Sequence, residues 1–145
     1  MKHRTGLMDL ISRKLAPFVM LFGFYLITYA HRSPGGGFQG GVVIASAVIL
    51  LGLGREVRDV ERVFPLRSLH LAETIAFSMI LVIAVLGLPL GGEIFAYPTP
   101  GETGAFLAVS PRRFLFAFNL MIGLKVGGGV TLLTLTLFED DRRRP

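Results

Sequence analysis

Four stretches of this chain are almost uninterrupted runs of apolar residues, and each is bounded by charge, proline or glycine. They lie at about Leu15–Ala30, Gln39–Gly54, Leu69–Leu90 and Phe114–Phe138. A helix that crosses a bilayer needs roughly 20 mostly apolar residues, and the runs approach that length. The expected fold is therefore all-α, a polytopic membrane protein with four transmembrane helices in a single domain over residues 1–145. Local signals place the helix starts. Pro17 suits the first turn of the first helix, Ser68 is a candidate N-cap for the third, and Ser110-Pro111 supplies a cap and a first position for the fourth.

Composition supports this reading. Of the 145 residues, 52% are hydrophobic and 17% charged, with a mean hydropathy of +0.62. A soluble domain carries about 25% charged residues. The formal net charge of +5 does not point to nucleic acid, because the basic residues cluster at the ends of the apolar runs, as they do on membrane flanks. Cysteine is absent, which excludes disulfides, thiolate metal sites and thiol nucleophiles.

The distribution of Lys and Arg orients the chain. Lys2, Arg4, Arg13 and Lys14 precede the first run, while Arg55, Arg58, Arg62 and Arg67 lie between the second and third. Arg142, Arg143 and Arg144 follow the fourth. With four spans these regions share one side, and the positive-inside rule makes that side, with both termini, cytoplasmic. The opposite side holds Arg32, Arg112 and Arg113, together with a long connection, Gly91 to Arg113. Its apolar patches fit a loop laid on the membrane or a partner, or a simple surface loop.

The stretch HRSPGGGFQGGVV, His31 to Val43, concentrates glycine where the second run begins. A phosphate-cradling loop would need Lys and a hydroxyl after its last glycine, but Val42 and Val43 stand there. Gly37, Gly41 and Ala45 instead recur every fourth residue, as do Gly123, Gly127 and Thr131 in the fourth run. Small residues at that spacing let membrane helices approach closely. The remaining glycines and Pro34 suggest a short connection or a close backbone contact at the membrane edge, against a neighbouring protein.

The segment Ser33, Pro34, Gly35, Gly36, Gly37, Phe38, Gln39, Gly40, Gly41 resembles the signature of the MnhB-like B subunits of Mrp-type multisubunit Na⁺/H⁺ antiporters. The same domain occurs in related archaeal membrane-bound respiratory complexes, among them hydrogenases and sulfane-sulfur reductases. The resemblance implies an accessory subunit packed among other membrane subunits of a module that moves Na⁺ or H⁺. A self-sufficient homo-oligomeric transporter and a purely structural assembly subunit are the alternatives. No catalytic, metal or cofactor motif is present, so any redox centre of a parent complex would belong to other subunits.

Ionisable residues inside a span are costly and mark function or pairing. Lys125 sits about twelve residues from either end of the fourth run. It is a candidate for ion or proton handling, or for a structural pair with a partner's carboxylate. His70 and Glu73, three residues apart on one face of the third helix, form a second candidate, either for proton entry or as an interfacial anchor. At 1.5 Å per residue Glu73 lies roughly 6 Å and Lys125 roughly 18 Å from the cytoplasmic side, so direct contact is not expected, and a water or a partner residue would be needed to connect them. Asn119 is expected to satisfy a local hydrogen bond. Tyr25 and Tyr29 read as interfacial anchors, with a pathway-lining hydroxyl as the alternative.

Overall fold

A computed structural model describes residues 4–30, 36–54, 57–91, 94 and 110–143. Its elements are α1 (Arg4–Thr28), α2 (Gly37–Gly54), α3 (Val57–Val63), α4 (Leu66–Gly91) and α5 (Pro111–Arg143). Among the described residues there is no strand. Four helices hold stretches long and apolar enough to cross a membrane: Gly6–Thr28, Gly37–Gly54, Leu66–Leu86 and Arg112–Asp140. The all-helical, four-span architecture expected from the sequence is the one observed.

The helix ends differ from expectation for local reasons. α1 begins at Arg4 rather than near Leu15, so Pro17 lies inside the helix and not in its first turn. The charged residues that suggested a boundary pair within the helix. Arg13 reaches back to Asp9, with Nη2 2.8 Å from Oδ2 and Nε donating to Oδ1 at 2.9 Å. Such an i, i+4 pair keeps the turn intact. Ser68 is not a cap either, because α4 opens at Leu66 and the Pro65 carbonyl accepts the N–H groups of Ser68 and Leu69 at 2.9 and 3.1 Å. At α5 the expected start is observed. Pro111 takes the first helical position, and the Ser110 carbonyl accepts the first bond, from Phe114 N–H at 3.1 Å. α5 then continues past Phe138 to Arg143. The short helix α3 has no counterpart in the apolar pattern. The loop from Gly91 to Arg113 lies, but for its ends and Ile94, outside the described residues.

The long helices pack in the order α1, α2, α5, α4. α1 and α2 are antiparallel, with Gly23 against Gly40 near one end and Ser12 against Gly54 near the other. α2 and α5 run parallel, since Gly37 meets Asn119, Gly41 meets Gly123 and Gly127, and Gly52 lies near Phe138. α4 is antiparallel to α5, with Leu69 and Glu73 beside Gly128. Most buried side chains are small, among them Ala16, Ala45, Ala47, Ala76 and Ala84. Bulkier packing gathers at the α3 end, where Val48, Val60 and Leu135 are buried under Leu51, Phe64, Leu66, Leu69 and Phe138. Small residues in the seams and large apolar ones outside are the reverse of a water-soluble core. In a bilayer, close approach of backbones replaces the hydrophobic drive.

Candidate functional site

Two features stand out: a glycine seam that joins α1, α2 and α5, and an ion pair between α4 and α5. In the seam there is no room for a side chain. A Cβ on Gly41 would lie 2.6 Å from the Gly123 carbonyl oxygen and 3.0 Å from the Gly127 nitrogen. A Cβ on Gly40 would meet the Gly23 carbonyl at 2.7 Å, and one on Gly123 would meet Ile27 Cδ1 at 2.6 Å. One on Gly37 would collide with the backbone carbonyl of Asn119. The stripe Gly37–Gly41–Ala45 therefore lies against the stripe Gly123–Gly127–Thr131, with Ala45 and Thr131 buried between the helices.

This corrects the expected occupant of the glycine-rich contact. It is covered by this chain's own α1 and α5, not by a neighbouring protein, because matched small residues occur at the same heights on all three helices. Gly23, a single glycine within an apolar run, carried too little pattern to be singled out. Phe38 points away from the seam and is 63% exposed. Ser33, Pro34 and Gly35 lie outside the described residues.

Asn119 does more than close a local bond. Its Nδ2 donates to the Leu115 carbonyl at 2.9 Å, and its Oδ1 accepts the Gly37 N–H at 2.9 Å. The first N–H groups of a helix lack partners within it. α5 thus caps the start of α2 from across the seam, where the glycines leave no side chain to do so. Sequence could not show this, since the partners are 82 residues apart.

At the ion pair, Lys125 Nζ lies 3.7 Å from Glu73 Oε1, with the side chains 40% and 27% exposed. The expectation that the two would not meet is overturned. It assumed that the helices end level with one another. With Glu73 beside Gly128 and Gly129, α5 projects about eight residues, roughly 12 Å, beyond the start of α4. Lys125 is then only about one turn from Glu73, within reach of its four-carbon stem. Gly129 makes room for the carboxylate, since a Cβ there would stand 3.0 Å from Glu73 Oε1. The ammonium also lies 6.0 Å from the centre of the Phe77 ring, at the outer limit of a cation–π contact.

The pair is held loosely. A closed N⁺–H···O⁻ hydrogen bond measures about 2.7–2.9 Å, so both groups keep bonding capacity for a third participant. Lys125 stands close to the midpoint of the apolar stretch Arg112–Asp140. His70, three residues before Glu73, is exposed, and its carbonyl accepts the Thr74 hydroxyl at 2.8 Å. Among the described residues no group of three or more His, Asp or Glu is placed to hold a metal ion.

Four apolar spans, glycine seams and an ion pair at mid-span define the class, a multi-pass membrane protein. Residues 7–132 match the family described as the domain related to the MnhB subunit of Na⁺/H⁺ antiporters, and the chain belongs to that family. It is similar to the Na⁺/H⁺ antiporter B subunit of Alkalihalophilus pseudofirmus, with 31% identity over 97% of each chain. It is also similar to the Na⁺/H⁺ antiporter B subunit of Bacillus subtilis, with 30% identity over 90% of this chain and 91% of the other. The family suggested by the Ser33–Gly41 segment is the family found.

Proposed function

We propose that this protein is an accessory subunit of a multisubunit cation/proton-translocating complex in the cell membrane, with both termini in the cytoplasm. Other antiporter subunits are its partners and Na⁺ or H⁺ is the transported ion. The likeness to an antiporter subunit along 97% of both chains carries this reading. The Lys125–Glu73 pair, with His70 toward the basic end of α4, is the part of the chain that takes part in the ion or proton path. Two titratable groups held 3.7 Å apart at bilayer depth can exchange a proton through one water or a partner side chain. No other ionisable pair among the described residues is so deeply placed.

The test has two parts. Extraction of the tagged chain in mild detergent, followed by native mass spectrometry, is expected to bring antiporter subunits with it. A homo-oligomer that persists alone across several detergents would overturn the accessory reading. Redox subunits in the same particle would place the module in a respiratory complex. Lys125→Ala is then expected to abolish cation-driven proton movement in vesicles while the particle stays assembled. Loss of the particle would make the pair structural.

A further inference from the structure

The outer surface of the bundle is of two kinds. Along α1 it is aliphatic and aromatic: Leu15, Phe18, Leu21, Phe22 and Phe24 are all more than half exposed, and no charged group interrupts them. Lipid tails cover such a surface without cost. α4 differs. It packs on the bundle through α5, and only 11% of its apolar stretch is buried. Yet its flank carries the partly exposed Lys125–Glu73 pair close to mid-span, with the exposed side chains of His70, Thr74 and Ser78 alongside at four-residue spacing. Lipid offers an ammonium and a carboxylate no hydrogen bonds, and leaving them against hydrocarbon is expensive.

We infer that the flank of the bundle formed by Lys125 of α5 and by Glu73, Thr74 and Ser78 of α4 is the docking surface for a transmembrane helix of another subunit, and that this helix brings a hydrogen-bond acceptor, carboxylate or amide, to the level of Lys125. The chemistry follows from the pair itself. An ammonium has three donors, and its nearest carboxylate oxygen stands at 3.7 Å, too far for a closed bond. A polar group on an otherwise apolar helix would complete that coordination and exclude lipid together. The two hydroxyl side chains on the same stripe are small enough to let a second helix approach. The α1 face, by contrast, is left to lipid.

The inference rests on the accessory-subunit reading, and one experiment separates the two. A photo-crosslinking amino acid is placed singly at Ser78, Thr74 or Leu81 on α4, and at Leu21 or Phe18 on α1. The tagged complex is then irradiated in its own membrane and purified. Adducts to a co-purifying membrane subunit from the α4 positions, with none from α1, are the expected result. If the antiporter subunits co-purify but the α4 positions yield only lipid adducts, the docking surface is wrong and the accessory reading stands. If no subunit co-purifies, the accessory reading fails first. A Ser78→Cys variant supplies the second check. Rapid labelling by a membrane-impermeant maleimide in the assembled complex would show a water-filled crevice in place of a helix and overturn the inference. Protection in the complex with labelling of the detergent-separated chain supports it.

Discussion

At single residues, close contact between backbones makes one added atom decisive. Gly41 faces backbone, which cannot rotate aside, so Gly41→Ala is expected to force α2 and α5 apart and destabilise the chain by about 1–3 kcal/mol, the usual cost of overpacking. Gly128 directly follows the seam residue Gly127 but faces α4, where a Cβ would meet the Leu69 carbonyl at 3.6 Å and Glu73 Cβ at 3.8 Å, ordinary contact distances. Gly128→Ala is therefore expected to be neutral or slightly stabilising. Thermal unfolding of the two variants in one detergent, followed by size-exclusion, distinguishes them, and equal losses would mean that the seam is not close-packed. Asn119→Ala removes the acceptor for the Gly37 N–H and should cost about 1 kcal/mol, the typical value of a lost cap. The same assay reads it, and an unchanged midpoint would mean that water replaces the cap.

The meeting of α4 and α5 gathers the chemistry at the level of elements. If Glu73 and Lys125 only held these helices together, neutralising both would be harmless, whereas neutralising one strands the other charge. Glu73→Gln or Lys125→Gln alone is expected to lower thermal stability, and the double variant to recover most of the loss. Transport is expected to fail in all three. Recovery of transport in the double variant would mark the pair as structural. α1 teaches a related lesson. An i, i+4 pair between Asp9 and Arg13 lets a helix run through residues that hydropathy alone assigns to a flank, and Pro17 is carried within it.

For the whole molecule, four spans are expected to return the chain to the side on which it began, and the positive-inside rule predicts from the Arg-rich connections that this side is the cytoplasm. A fluorescent protein that matures only in the cytoplasm, fused to the C-terminus, is expected to fluoresce. An alkaline phosphatase fusion within Gly91–Arg113 is expected to be active outside. The reversed pair of results would invert the topology and with it the side from which His70 and Glu73 would receive protons. In the bundle α1, α2 and α5 touch one another, and α4 packs on α5 at one edge. This leaves a polar and charged flank on α4 and an apolar one on α1, an asymmetry suited to a subunit with protein on one side and lipid on the other.

The helical class, the number of spans, the stripes of small residues and the family are all legible in the bare sequence. Each depends on hydrophobic period, run length or a local motif, and these survive without knowledge of what packs against what. What the glycines touch is a matter of packing, because Gly37–Gly41 and Gly123–Gly127 signal close approach without naming the neighbour. Packing alone also turns Asn119 into a cap for α2, through a bond that spans 82 residues. It brings Lys125 to Glu73 as well, since the relative height of two helices is set by how their side chains interlock, and no count of residues from a helix end contains that offset.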